Sequence, residues 1–173
     1  MIAEKAYAKI NLTLSVGEKR EDGYHEIDSV MHSISLCDEV TLTEAGGISL
    51  SIKEGLAPGG KANLMWEAAE LFFRETGFSG GVHMELVKQI PSEAGMGGGS
   101  SDAAAVLRGL NRMTGQQLSF LRIQIITLVR VLGENDSVIH ACFYHFRDLR
   151  NDCCTLYIAQ RSGRKIVLHV NDN

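Results

Sequence analysis

Only two prolines and four cysteines occur among the 173 residues. The cysteines, at positions 37, 142, 153 and 154, lack the Cys-x-x-Cys spacing of a metal site, and the adjacent pair is a poor disulfide framework. No stretch comes close to the 18 uninterrupted apolar residues of a membrane-spanning helix. Met1–Tyr7 lacks the apolar core of a signal peptide. A net charge of −4 does not support nucleic-acid binding through bulk electrostatics. We therefore expect a cytoplasmic protein with no membrane or nucleic-acid partner.

The composition changes near Ser119. Residues 1–119 hold 16 acidic and 10 basic residues, a net charge of −6, and 16 of the 18 glycines. Residues 120–173 hold 5 acidic and 7 basic residues, a net charge of +2, and two glycines. A shift of this kind can mark a domain boundary, and we predict one here.

The most informative stretch is a glycine-rich run that leads into an alanine-rich segment. Glycine allows the backbone to bend and to approach a ligand closely, because it has no Cβ. A helix that follows presents free N–H groups and a partial positive charge to an anion. The pattern predicts a nucleotide-phosphate loop rather than a flexible linker, since a strand and an amphipathic helix flank it tightly. Its residues are Pro91, Ser92, Glu93, Ala94, Gly95, Met96, Gly97, Gly98, Gly99, Ser100 and Ser101.

Two common phosphate loops do not fit this run. A Walker A loop requires Gly-Lys-Ser/Thr, and the run contains no lysine. The dinucleotide fingerprint requires glycine five residues after Gly95, where the sequence has Ser100. The run is therefore a phosphate loop of another kind.

Hydrophobic periodicity predicts an α+β fold, with helices covering one face of a largely antiparallel sheet. Alternation predicts a half-buried strand over 7–16, a hairpin over 40–52 that turns at Gly46-Gly47, and a strand over 82–86. Helical spacing predicts helices over 63–76 and 101–113. Asn63 is the expected N-cap of the first helix and Gly77 its stop.

Four further residues are candidates for binding or chemistry. Lys9 and Asn11 share the polar face of the first strand, where they can contact a substrate or simply face water. Tyr24 and His25 lie in a polar turn, where they can recognise a planar ring or belong to an ordinary surface loop. Ser100 and Ser101 can cap the second helix or donate to phosphate oxygens. For Asp102, a partnership with the dipole of the helix's first turn is the favoured interpretation.

The glycine run resembles the ATP loop of the GHMP kinases. Together with Ala8–Leu12 and Arg20–Glu26, it is similar to one family among them, the kinases of 4-diphosphocytidyl-2-C-methyl-D-erythritol. The resemblance covers nearly all of residues 1–119. It implies a ribosomal S5 domain 2-like N-terminal lobe, with ATP and Mg²⁺ as cofactors and a cytidyl diphosphate sugar alcohol as the small-molecule substrate. It further implies a catalytic Lys9, substrate contacts from Asn11, Tyr24 and His25, and an ATP loop over 91–101.

Residues 120–173 depart from this family. Its members continue with a Gly-x-Asp-Val-Pro-Phe segment whose aspartate is the catalytic base, and residues 120–173 contain no such segment. We expect an incomplete ATP-binding domain over 1–119, an unmatched tail over 120–173 and no C-terminal lobe. Exposed apolar surface would then favour self-association. A reading frame shifted near Phe120 would explain both the tail's composition and the missing segment.

The resemblance predicts ATP-dependent phosphorylation of the 2-hydroxyl of 4-diphosphocytidyl-2-C-methyl-D-erythritol, impaired in this chain by the missing base. Two alternatives stay open. One is a catalytically inactive nucleotide-binding remnant, and the other is a GHMP small-molecule kinase with a different acceptor.

Overall fold

The computed structural model describes residues 1–19, 25–115 and 118–119, together with two short strands further along the chain. Its elements are β1 Ile2–Lys19, β2 His25–Ala45, β3 Ile48–Glu54, a 3-10 turn Gly60–Ala62, α1 Leu64–Thr76, β4 Gly81–Val87, α2 Gly98–Met113, β5 Leu156–Ala159 and β6 Val167–Val170. The chain divides into two units, one of Met1–Ala8 with Leu36–Glu134 and the other of Lys9–Ser35 with Asn135–Asn173. β5 and β6 pair antiparallel with each other.

The main sheet has the strand order β1-β2-β4-β3. β2 pairs antiparallel with β4, whereas β3 pairs parallel with it. The predicted hairpin over 40–52 is therefore wrong, because β4 lies between the two strands that were expected to pair. The connection between them crosses the end of β4, where the N–H of Val82 donates to the carbonyl of Gly47 at 3.0 Å. The sheet is mixed rather than largely antiparallel.

The core of the first unit lies between the sheet and the two α-helices. The central strand β4 buries Val82, Met84 and Leu86. In register with Met84 are Leu42 on β2 and Leu50 on β3, so one row of apolar side chains crosses three strands. The largest fully buried side chains are Phe72, Leu42, Met65, Met84, Leu86, Ile90, Leu107 and Leu110. This core fixes α2, and with it the glycine run that precedes α2.

The apolar face of β1 is not half-buried as predicted. Ala6 and Ala8 are fully buried, but Leu12, Leu14 and Val16 are 51%, 58% and 61% exposed. From Lys9 onward β1 belongs to the second unit, within which no α-helix is described that could cover these side chains. Among the described residues, no helix combines the length and apolar character that crossing a bilayer requires.

The N-terminus of α1 forms as predicted. Asn63 is the N-cap, and its side-chain oxygen accepts a hydrogen bond from the Met65 N–H at 2.9 Å. Its amide also donates to the Pro58 carbonyl at 2.8 Å. At the other end, Gly77 takes the left-handed conformation with φ 67°. A residue without a Cβ is favoured there, as expected for a helix stop.

Replacing Asn63 with alanine is expected to lower the free energy of unfolding by about 1 kcal/mol, because the Met65 N–H loses its acceptor. Asn63→Asp is the matched control, since it keeps the capping oxygen and loses only the bond to Pro58. Urea unfolding followed by circular dichroism measures both variants. Equal losses in the two would contradict a capping role.

Candidate active site

The glycine run folds into a loop over 91–97 and then directly into α2. Three of its residues have positive φ: Gly95 at 70°, Gly97 at 71° and, without the freedom of glycine, Glu93 at 61°. Gly97 is the N-cap of α2. Its left-handed conformation turns the chain so that the helix begins at Gly98, three residues before the predicted start.

The first turn of α2 presents backbone donors. The first helical bond runs from the Ser101 N–H to the Gly97 carbonyl at 3.0 Å. The N–H groups of Gly98, Gly99 and Ser100 therefore precede the helical ladder, and no side chain caps them in the described part of the chain. Of the two roles expected for Ser100 and Ser101, capping is wrong, because both residues lie inside the helix. Donation to phosphate oxygens stays a prediction. Three free N–H groups at a helix N-terminus suit an anion.

Beneath this turn lies a buried charge cluster of Asp38, Lys88 and Asp102. The Lys88 ammonium donates to Asp38 Oδ2 at 2.5 Å and to Asp102 Oδ2 at 2.6 Å. Asp38 Oδ1 accepts from the backbone N–H groups of Gln89 at 2.6 Å and Ile90 at 2.8 Å. All three charged side chains are at most 6% exposed. The cluster thereby ties α2 to β2 and to the segment that follows β4.

Asp102 does not partner the helix dipole as expected. It is the fifth residue of α2, and the first turn contains no acidic side chain. Burial raises the pKa of Asp102 to about 7, against the opposing effect of Lys88, and the neighbouring Asp38 adds to the rise. Its Oδ1 atom is buried without a hydrogen-bond partner in the described structure.

A second polar cluster lies at the start of the other unit. The Lys9 ammonium donates to Asn11 Oδ1 at 2.7 Å, and Asn11 Nδ2 donates to Ser29 Oγ at 2.6 Å. The Ser29 hydroxyl, which is buried, donates in turn to the Thr13 carbonyl at 2.7 Å. Burial lowers the pKa of Lys9. Asn11, held by Ser29, fixes the position of the Lys9 ammonium without adding an opposite charge.

The structure gives less information about the two predicted ring-binding residues, Tyr24 and His25. His25 is the first residue of β2 and is exposed. Tyr24 lies outside the described residues, so the predicted ring-binding turn stays a prediction. Within the described part of the chain, no three His, Cys, Asp or Glu side chains gather as a metal ion would need.

Comparison with known proteins finds a family for the segment that contains the loop. The family described as "GHMP kinases N terminal domain" matches residues 63–143, which include α1, β4, the loop and α2. Residues 63–143 match a GHMP kinase N-terminal domain. This confirms the resemblance noted in the sequence and the predicted fold class.

Two curated relatives of this GHMP kinase domain carry the same name. The chain is 44% identical over 135 residues to the "4-diphosphocytidyl-2-C-methyl-D-erythritol kinase" of Shouchella clausii, covering 77% of this chain and 45% of that protein. It is 50% identical over 109 residues to the protein of the same name from Desulfitobacterium hafniense, covering 62% and 37%. The chain thus spans less than half the length of these relatives.

A solved structure resembles the domain as well. It is a crystal structure of a 4-(cytidine 5'-diphospho)-2C-methyl-D-erythritol kinase, with a TM-score of 0.62 and 37% sequence identity. The alignment covers 70% of this chain and 44% of that one.

Sequence reasoning found the loop of the GHMP kinase domain but missed the charge cluster beneath it. Asp38 stands beside Glu39 within β2, and Lys88 directly follows β4. For charged residues, solvent exposure is the ordinary interpretation. One signal was available. Asp102 stands between Ser101 and an alanine run, at a position that the helical pattern turns toward the core.

Proposed function

We propose that this GHMP kinase domain is the ATP-binding part of a kinase that phosphorylates the 2-hydroxyl of 4-diphosphocytidyl-2-C-methyl-D-erythritol. The observation that carries the proposal is the loop itself. Three N–H groups at the start of α2 follow a left-handed Gly97 and have no partner among the described residues. This geometry suits phosphate, and relatives of 44% and 50% identity are named as kinases of 4-diphosphocytidyl-2-C-methyl-D-erythritol.

The residues of the loop fit the phosphates of ATP. Gly98, Gly99 and Ser100 supply N–H donors, and the glycines leave room for close approach of the phosphate oxygens. Ser100 and Ser101 supply hydroxyls in the same turn. Magnesium bound with the nucleotide supplies charge neutralisation in reactions of this class. Positioning and electrostatic stabilisation are the contributions that phosphoryl transfer needs from the protein.

Lys9 and Asn11 are proposed to contact the acceptor substrate. The Lys9 ammonium, fixed by Asn11, stabilises the reacting oxygen, while Tyr24 and His25 contact the cytosine ring. Support for Lys9 comes from its hydrogen bond and from the burial that lowers its pKa. Support for Tyr24 and His25 is the sequence resemblance alone.

Turnover by this chain is a separate proposal. Without the family's aspartate base in residues 120–173, we propose that phosphoryl transfer is impaired while ATP binding persists. A coupled ATPase assay with the cytidyl substrate and a panel of other acceptor alcohols tests this. Turnover equal to that of a full-length relative would overturn the proposed impairment, and preference for another acceptor would overturn the proposed substrate.

The DNA sequence around codon 120 tests the frame shift suggested by the tail. That explanation requires that one insertion or deletion restores a Gly-x-Asp-Val-Pro segment.

ATP binding is tested by isothermal titration calorimetry with Gly97→Ala. We expect affinity to fall about tenfold or more, because a Cβ at φ 71° costs about 1–2 kcal/mol and moves the donors that follow. Gly77→Ala is the matched control. Gly77 has a similar φ of 67° at the far end of α1 and nothing within 4 Å of an added Cβ. It should lose similar stability and keep ATP affinity within about twofold. Equal affinity in both variants would contradict the proposed loop.

A further inference from the structure

Among the described residues, Asp102 Oδ1 is the one buried side-chain oxygen or nitrogen that has no hydrogen-bond partner. Asp102 Oδ2 accepts from Lys88, and the same ammonium donates to Asp38. With both carboxylates ionised, one lysine leaves the buried charge cluster with a net charge of −1. A net charge at this depth is costly, and a single proton removes it.

The two carboxyl groups differ in their hydrogen-bond partners. Asp38 accepts three hydrogen bonds, from Lys88 and from two backbone N–H groups, so both of its oxygens already face donors. Asp102 accepts only one, and its Oδ1 faces no donor. The proton therefore belongs on Asp102.

The cluster lies directly against the turn that presents the N–H donors. A Cβ built on Gly98 would be 2.8 Å from the Lys88 ammonium, so the cation lies against the first residue of α2. Asp102 follows one helical turn later in the same helix. A negative charge at the N–H groups of Gly98, Gly99 and Ser100 is thus close enough to repel an ionised Asp102.

We propose that ATP binding at the loop is coupled to proton uptake at Asp102 Oδ1. This inference rests on the proposed function, since it requires that phosphate binds at the loop. The proton comes from solvent and no covalent bond to the nucleotide forms. The charged groups that act on Asp102 are Lys88, after β4, and Asp38, on β2.

The direction of the coupling follows from electrostatics. Burial already raises the pKa of Asp102 to about 7. Bound phosphate adds a like charge, which raises that pKa further and favours the protonated form. By linkage, ATP binds more tightly when Asp102 is protonated, so affinity falls as the pH rises through neutrality.

Calorimetry of ATP binding in buffers of different ionisation enthalpy measures the proton directly. At about pH 7.5 we expect the wild-type protein to take up about half a proton per ATP more than Asp102→Asn. The asparagine keeps an oxygen for Lys88 but cannot titrate. Between about pH 6 and pH 8 the wild-type affinity should fall about three- to tenfold relative to that of the variant. The phosphates of ATP titrate in the same pH range, but they do so equally with both proteins, so the difference between wild type and variant reports the protein alone. Glu67→Gln, which removes an exposed carboxylate in α1, should behave as wild type.

The outcomes separate the two proposals. If ATP does not bind to the wild-type protein, the proposed function falls, and the coupling falls with it. If ATP binds and proton uptake is zero, or is the same in Asp102→Asn, only the coupling is overturned.

A second measurement does not need a folded variant. Infrared difference spectra of the wild-type protein with and without ATP should show the carbonyl stretch of a newly protonated carboxyl group at about pH 7.5. Absence of that band, with ATP bound, would overturn the proposal.

Discussion

Replacing Lys88 with methionine should destabilise the domain by about 3–5 kcal/mol, which is enough to unfold much of a small domain. The lysine ammonium is the partner of two carboxyl groups, Asp38 and Asp102, that are 0% and 3% exposed. Methionine has a similar length, so the loss is electrostatic rather than a loss of volume. It leaves two buried carboxyl groups facing an apolar side chain, and an uncompensated buried charge is among the most destabilising changes known in proteins.

Lys53→Met is the matched control for this change. Lys53 also donates to a carboxylate at 2.6 Å, that of Glu85, but the two side chains are 53% and 35% exposed. An exposed pair contributes at most about 1 kcal/mol, because water screens it. Urea unfolding of both variants gives the comparison. A loss below about 1 kcal/mol for Lys88→Met would show that the cluster is not a structural tie.

The pH dependence of Lys88→Met gives a further check on the cause. Burial already raises the pKa of Asp102, and loss of the cation that opposes this rise favours its protonated form further. The folded state then binds more protons than the unfolded state, so stability should increase as the pH falls from about 8 to about 5. A variant damaged by packing alone would show no such increase relative to the wild type.

Local elements were predictable from the sequence, because their causes are local. The cap at Asn63 and the stop at Gly77 depend on backbone geometry within a few residues, and α1 has the predicted ends. The strand β4 was predictable from its alternation, since every second residue is buried. The phosphate loop was predictable for a similar reason, because positions with positive φ favour glycine and the glycines are visible in the sequence.

Long-range pairing was not predictable in the same way. Alternation tells which face of a strand is buried but not which strand lies beside it. It therefore predicts a hairpin turn at Gly46-Gly47 that the structure does not have. The structure places Gly81 of β4 against this connection, and a Cβ on Gly81 would be 2.4 Å from the Gly47 backbone. The charge cluster is long-range too. Asp38 and Lys88 are 50 residues apart, and nothing near either of them in the sequence points to the other.

The glycines at the start of α2 are expected to differ in how they tolerate a methyl group. Gly98→Ala should lower the free energy of unfolding by about 1–3 kcal/mol. Its Cβ would lie 2.8 Å from Lys88 Nζ and 3.0 Å from Ile90 Cγ2, and both neighbours are held in place. Moving Lys88 would disturb its bonds to Asp38 and Asp102. Moving Ile90 would disturb a side chain that is 1% exposed.

Gly99→Ala is the control within the same helical turn. The nearest atom to its Cβ would be Leu64 Cδ1 at 3.6 Å, an ordinary van der Waals contact. Alanine is favoured over glycine in a helix by about 0.5–1 kcal/mol, so this variant should be as stable as the wild type or more stable. Thermal unfolding without nucleotide compares the two variants and keeps folding separate from phosphate binding. Equal stability of the two variants would mean that Lys88 and Ile90 move aside for the added methyl group at little cost. A selective loss in Gly98→Ala would show that the loop glycine is required by the charges beneath it, independently of any ligand above.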